Sequence, residues 1–285
     1  MSSTEKNHFS LIGVKYRVYV YGSETLRFGN SQLITWLMKK IIEEAEELVP
    51  NSEFTLHEYG QWGVPREKMV KIVPGVDSVV FHPQGKSSYL VEKHNLQDKQ
   101  VIMTVGRLDE RKGHDMVIRA MAQVIKRFPN SKYMIVGKGR EEQRLKSLTA
   151  NLKLHDHVIF TGYVTDDSLP NYYNLCDVFV LPNRETELHD QLKEDYEGFG
   201  VVFLEASAYC GKPVIAGNSS VSCEAVVDGI TGLIVNPRSE DEIAHAIERI
   251  LADKIFANRL GIAGRLRAEK EFDWQHIAKT MESIL

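Results

Sequence analysis

The sequence predicts an α/β protein built on a doubly wound parallel sheet. Three observations carry this. From about residue 100 onward, short runs rich in Val and Ile alternate with longer stretches of helical periodicity. The runs are apolar throughout and mostly end at Gly or Pro, as strands buried on both faces do. The 285 residues, 43% hydrophobic and 26% charged, suit a soluble globular chain with one large domain or two of ordinary size.

Taken in order, residues 16–21 read as a strand ending at Gly22. Residues 31–47 read as a helix with Leu33, Ile34, Leu37, Ile41, Ile42 and Ala45 on one side. Two short strands fit near 48–51 and 69–73. These strands are fewer than the roughly five or more of a complete doubly wound domain. The hydrophilic stretch 84–100 reads as a connection. The chain therefore divides into a partial N-terminal unit (1–84), a linker (85–99) and a complete second unit (100–270). A C-terminal helix (271–285) follows, with a return toward the first unit open to it. In the second unit the strands are 101–106, 132–137, 158–162, 178–181, 213–216 and 232–235. Helical patterns fill 114–128, 141–152, 201–210, 240–251, 254–270 and 274–285. In 114–128 the apolar positions Met116, Val117, Ala120, Met121, Val124, Ile125 and Phe128 make one wide face, and Pro129-Asn130 stops it. Repeated β-α units imply helices on both sheet faces.

The formal charge of −4 and pI near 6.2 argue against general affinity for nucleic acid, which needs a concentrated excess of Lys and Arg. Cys176, Cys210 and Cys223 are too few and scattered for a disulfide framework or zinc site, so a reducing cytoplasm is expected. No apolar run approaches the roughly 18–20 residues of a membrane span, and MSSTEKNHFS has no signal-peptide core. Lys39 and Lys40 could touch anionic lipid, leaving a peripheral place at the inner membrane face open, but Glu43, Glu44, Glu46 and Glu47 favour a solvated helix.

Three segments point to one site at the carboxyl edge of the second sheet, where open α/β sheets bind ligands. Gly106-Arg107-Leu108-Asp109-Glu110-Arg111-Lys112-Gly113 follows the first strand. Arg107 supplies a fork and Lys112 a point charge, both suited to a diphosphate, although a solvated charged loop would read the same way. In Glu197-Gly198-Phe199-Gly200-Val201, glycines precede an apolar helix. Such a start leaves free N–H groups and a partial positive charge, so it binds an anion. Glu205, eight positions after Glu197, is a charge amid Phe203, Leu204, Ala206 and Ala208, and a buried carboxylate needs a partner. That spacing suits one carboxylate near a sugar and the other near a ribose of one nucleotide-sugar, while helix capping is the plainer account of Glu197. The turn 216–224 is a further donor loop or a capped turn.

GRLDERKGHD, EGFGVVFLEASAYCGKPVIA and DGITGLIVNP, in that order, resemble the donor-binding half of the retaining glycosyltransferases of family 4. Within that family the chain is similar to the phosphatidylinositol-mannoside mannosyltransferases. The likeness implies the GT-B fold, in which two Rossmann-like domains face a cleft. It implies a nucleoside-diphosphate sugar as co-substrate, with a slight preference for GDP-mannose, a hydroxyl of a glycan or lipid-linked acceptor, and no required metal or other cofactor. Catalytic work would fall to Arg107, Lys112 and Glu197. Donor contacts would come from Gly106, Arg107, Lys112, Glu197, Gly198, Phe199, Gly200, Val201 and Glu205, with Glu205 at the ribose. VYVYGSE, PNSEFT and VPREKMVKIVPGVDSVVFHP resemble the later part of the family's acceptor domain, which places Tyr21 and Gly22 at the cleft. Many members carry His where this chain has Tyr21, a group that cannot titrate near neutral pH. The family's opening strand and Gly-rich loop have no counterpart here. The strand from Tyr16 to Tyr21 is therefore expected to leave an open edge for a second copy or a separate chain. The alternative to an enzyme is a nucleotide-sugar-binding module or half-enzyme that needs such a partner.

Gly137-Lys138-Gly139 lacks the third Gly of a dinucleotide fingerprint and reads as a tight turn, so an oxidoreductase is disfavoured. His155 and His157 lack a ligand cluster and read as surface residues.

Overall fold

The computed structural model describes residues 15–22, 31–79, 82–184, 199–219 and 222–284. Two parallel sheets organise them. The larger has six strands, β3 (Gln100–Val105), β4 (Ser131–Val136), β5 (Val158–Gly162), β6 (Val178–Leu181), β7 (Val214–Gly217) and β8 (Gly232–Val235), in the spatial order β5-β4-β3-β6-β7-β8. Every pairing is parallel. Strand order reverses direction between β3 and β6, which makes that gap the topological switch point of a doubly wound sheet.

Alternation along β3 shows why the sheet is buried on both sides. Val101, Met103 and Val105 join one apolar cluster and Ile102 the other. The Ile102 face is covered by α4 (His114–Arg127) and α9 (Glu240–Ala252), through Val117, Ile118, Met121, Ile243 and Ile247. The Met103 face is covered by α6 (Leu169–Tyr173), α7 (Val201–Cys210) and the end of α10 (Lys254–Glu271), through Tyr173, Phe203, Leu204 and Ala268. Local chemistry starts the helices. Ser239 accepts from the Glu242 N–H at 3.2 Å, and Asp253 accepts from the Phe256 N–H at 2.9 Å. The remaining second-unit helices are α5 (Glu142–Asn151) and the short α8 (Ser222–Ala225).

The smaller sheet pairs β1 (Arg17–Val20) with β2 (Glu47–Pro50), joined through α1 (Gln32–Glu44) and followed by α2 (Glu53–Gln61). The strand expected over 69–73 is reduced to an isolated bridge, Leu48 with Met69. Val70 and Ile72 donate to the Leu48 and Pro50 carbonyls at 3.0 Å, but Pro50 has no N–H to give back, so the ladder stops. The stretch read as a linker carries α3 (Ser88–Lys93), whose Leu90 is buried in the larger core together with Leu96.

Residues 73–79 and the C-terminus tie the two sheets together. The Val76 N–H donates to the Phe272 carbonyl at 2.7 Å, and the Trp274 N–H donates to the Val76 carbonyl at 3.1 Å. A Cβ on Gly75 would lie 2.9 Å from the Ile277 and Trp274 side chains and 3.0 Å from the Phe272 carbonyl oxygen, so Gly lets the two segments pack closely. The last helix, α11 (Trp274–Ile284), buries Ile277 against Val49 and Ile72. Glu224 of α8 accepts from the Glu53 N–H at 2.7 Å and from Lys71 at 3.3 Å, and Lys71 also pairs with Glu53 at 2.6 Å. Ile277→Ala is expected to cost about 2–5 kcal/mol, the usual range for emptying a buried aliphatic site. An unchanged urea midpoint would show that this cluster carries no weight.

Among the described residues no helix is long and apolar enough to cross a membrane.

Candidate nucleotide-sugar site

The helix that follows β3 packs on one sheet face and the helix that follows β6 on the other, so the crevice opens between their connecting loops. Its floor is made of close backbone contacts. A Cβ on Gly137 would sit 2.0 Å from the Gly106 carbonyl oxygen, and one on Gly139 would sit 2.4 Å from that of Leu108. Gly113, at φ +71°, would meet the Pro182 carbonyl oxygen at 2.3 Å. The β3, β4 and β6 loops can therefore nest only because these positions lack side chains.

Gly106, Arg107 and Lys112 are brought together. Lys112 ends a short 3₁₀ turn (Glu110–Lys112) and is buried, with its Cε and Nζ only 3.8 and 4.0 Å from where a Cβ on Gly106 would be. Arg107 is largely exposed, and its Nε lies 3.4 Å from Asp109, which also faces Arg140 at 3.7 Å. Leu108, buried between them, donates its N–H to the Lys138 carbonyl at 3.1 Å. The Gly137-Lys138-Gly139 turn thus serves to seat this loop.

Phe199, Gly200, Val201 and Glu205 lie at the start of α7. Phe199 is buried against Phe272, with ring centroids 5.8 Å apart. Gly200 is left-handed at φ +80°, and a Cβ there would strike the Phe203 ring at 2.7 Å. The helix therefore begins abruptly, with its first N–H groups at the sheet edge. Glu197 and Gly198 lie outside the described residues. Tyr21 is exposed just beyond β1, followed by Gly22 at φ +89°, so both sit at the carboxyl end of the smaller sheet.

Glu205 accepts a 2.7 Å hydrogen bond from the buried Tyr173 hydroxyl. Burial holds its carboxyl above the ordinary range; the Tyr173 bond opposes that, and Asp166 adds to it. A carboxyl that binds its proton more tightly when folded loses stability as pH rises from the unfolded value through the folded one. Glu205→Gln is therefore expected to gain stability over the native chain as pH rises above the ordinary glutamate value, with the two converging in acid. Urea denaturation across pH measures this, and an offset that does not change with pH would contradict it.

Several residues here carried no signal of their own in the sequence. His114, the first residue of α4, is fully enclosed and contacts the Arg107 carbonyl at 3.2 Å. Asp115 and Arg184, both buried, pair at 3.1 Å and join α4 to the β6 loop. The 216–224 turn, singled out in the sequence, ties into that loop: Asn183 donates to Ser219 at 2.9 Å and accepts from Ser222 at 2.8 Å. A polar cavity of about 180 Å³ lies beside it, lined by Asn183, Arg184, Asn218, Ser219, Asn236 and Arg238, among others. Each of these residues sits where two loops meet, a juxtaposition set by strand order rather than by local pattern.

The family described as "Glycosyl transferases group 1" matches residues 89–267. The chain is 34% identical over 249 residues to a GDP-mannose-dependent alpha-(1-6)-phosphatidylinositol monomannoside mannosyltransferase of Mycolicibacterium smegmatis, covering 87% of this chain and 64% of that protein. It is 32% identical over 251 residues to a GDP-mannose-dependent monoacylated alpha-(1-6)-phosphatidylinositol monomannoside mannosyltransferase of Corynebacterium glutamicum, with the same coverage. The chain thus spans somewhat under two thirds of the length of these relatives. Among solved structures it is similar to Anabaena HepE in complex with UDP and glucose, at a TM-score of 0.80 and 22% identity, covering 95% of this chain and 71% of that one. It also matches the sucrose-phosphate synthase of Thermosynechococcus elongatus, at a TM-score of 0.76 and 28% identity, covering 95% and 67%. The parallel α/β architecture is that of the GT-B glycosyltransferases, and the chain belongs to the glycosyl transferases group 1 family.

Proposed function

We propose that this chain carries the donor side of a retaining glycosyltransferase that moves a sugar from a nucleoside-diphosphate sugar, GDP-mannose by preference, to a hydroxyl of a glycan or lipid-linked acceptor. The observation that carries the reading is Lys112, a buried cation folded over Gly106 at the sheet's switch point with Arg107 beside it. As the bond between the sugar and the diphosphate breaks, negative charge builds on the leaving group. The buried Lys112, the exposed Arg107 at the mouth of the crevice and the first N–H groups of α7 stabilise that charge. In this reading they carry the load a divalent ion carries elsewhere, so the reaction proceeds in chelator. Glu197 orients the sugar hydroxyls and Glu205 the ribose. The leaving phosphate takes the proton of the incoming hydroxyl on the same face of the sugar, which keeps the anomeric configuration and leaves no protein group as general base.

The GDP-mannose preference rests on the mannosyltransferase relatives, and the HepE structure with UDP makes UDP-glucose the competitor to test. Incubation with each sugar nucleotide in EDTA, with chromatography of the released nucleoside diphosphate, is expected to favour GDP-mannose. Faster release from UDP-glucose would overturn the preference. Transfer abolished by EDTA would overturn metal independence.

One observation favours a second reading, a donor-binding module completed by a second copy. Among the described residues β1 pairs only with β2, α1 exposes Leu33, Trp36 and Leu37, and Tyr19 of β1 is exposed as well. A paired edge and a covered apolar stripe are the usual outcome. Light scattering is expected to show a dimer; a stable monomer with full transfer activity would contradict this.

A further inference from the structure

The loop bearing Arg107 and Lys112 is held from behind by the sheet, and what that hold does rests on the proposed donor site. The peptide joining Arg107 to Leu108 is clamped at both ends. Its N–H donates to the Lys138 carbonyl at 3.1 Å. Its carbonyl accepts twice, from the Asp109 N–H at 2.9 Å and from His114 Nε2 at 3.2 Å. A carbonyl can only accept, so Nε2 carries the ring proton. Burial pushes the His114 imidazole down to about 4, with Lys112 acting in the same direction and the Arg107 bond opposing, so the ring is neutral at physiological pH. That leaves Nδ1 as a bare acceptor facing the Tyr133 hydroxyl at 3.4 Å.

Behind the ring, the polar chain continues into the sheet. The Tyr133 hydroxyl lies 2.8 Å from Thr104 Oγ1, and Thr104 gives its own proton to the Val180 carbonyl. His114, Tyr133, Thr104 and Val180 stand on α4, β4, β3 and β6, the elements that meet at the switch point. The Asp109 bond is a contact within the loop itself and moves with it. The His114 bond is the one that refers the Arg107 carbonyl to this framework.

We propose that His114 is a positioning residue for diphosphate binding: its Nε2–H anchors the Arg107 peptide to the sheet, turns that carbonyl's lone pairs inward, and so sets the direction in which Arg107 meets the ligand. A neutral ring suits the task. A protonated one would set a second buried charge beside Lys112.

The test uses the full chain and titrates GDP and UDP by calorimetry. His114→Phe keeps the ring's bulk and removes the donor; His114→Gln returns an N–H at similar reach. His114→Phe is expected to weaken the tighter nucleotide about 3- to 10-fold, the scale of one hydrogen bond, and His114→Gln to recover most of that loss. In an Arg107→Ala background the same His114→Phe change is expected to cost nothing further, because the residue acts through Arg107. Native affinity in His114→Phe, no recovery in His114→Gln, or losses that add fully to Arg107→Ala would each overturn the proposal. Should His114→Phe not fold, His114→Leu takes its place; if neither folds, the residue is structural and the proposal fails. A native chain that binds neither nucleotide overturns the donor-site reading instead.

Discussion

Replacing Lys112 by Ala is expected to lower sugar-transfer turnover by ~10²–10³-fold, the effect of removing one preorganised group that stabilises charge in a transition state. The reason lies in where the ammonium sits. A lysine on a loop tip is hydrated, and its charge is screened. Lys112 is only 6% exposed, and its stem runs along Gly106 at the mouth of β3. A cation so held is worth more to a developing phosphate charge than the same group in water, and it needs no rearrangement when the bond breaks. Burial also means that Ala removes packing along with charge, so Lys112→Met is the proper companion: it keeps the aliphatic stem and loses the ammonium. Both variants are expected to lose turnover alike, while Lys112→Met keeps its urea midpoint near the native one. Near-normal turnover in Lys112→Met would remove the leaving-group role.

Gly113→Ala is expected to be strongly damaging. The added Cβ would lie 2.3 Å from the Pro182 carbonyl oxygen, a backbone atom that cannot swing aside, and φ there is +71°. Overpacking costs about 1–3 kcal/mol and a strained dihedral about 1–3 kcal/mol more, so a loss of roughly 2–6 kcal/mol follows. Relief would come from parting the β3 and β6 loops, where Arg184 donates its N–H to the Arg111 carbonyl at 2.8 Å and pairs through its side chain with Asp115. Nucleotide affinity is therefore expected to fall together with the urea midpoint. A variant as stable as the native chain would show that the loops do not nest as described.

The sheet was legible because parallel strands buried on both faces leave a continuous apolar trace. Lys132, at the solvent-facing start of β4, is among the few charges within the strands. Helix α4 was legible from its amphipathic stripe and its Pro129 stop, and α7 from Gly200 and an unbroken apolar run. Helix α2 was not. Its apolar positions are sparse, and its start depends on Ser52 accepting from the Thr55 N–H at 3.0 Å, a capping signal too common to stand alone. Helix α3 was hidden for a different reason: it has six residues in a hydrophilic stretch and only one of them, Leu90, is buried, too few to show a period. At the site, the residue types and their order were readable, whereas depth was not. Nothing in GRLDERKGHD distinguishes the buried Lys112 and His114 from the exposed Arg107. That difference arises from Gly113, Gly137 and Gly139 letting three loops collapse onto one another.

The most direct test of the donor site is a calorimetric titration of GDP into the native chain and into Lys112→Met, both in EDTA. Saturable one-site binding by the native chain, weakened at least tenfold in Lys112→Met, is the expected result, since charge-assisted contacts of this kind are worth about 1.5–3 kcal/mol. Equal affinity in the two proteins, or binding that appears only when a divalent ion is restored, would contradict a diphosphate held by Arg107, Lys112 and the start of α7.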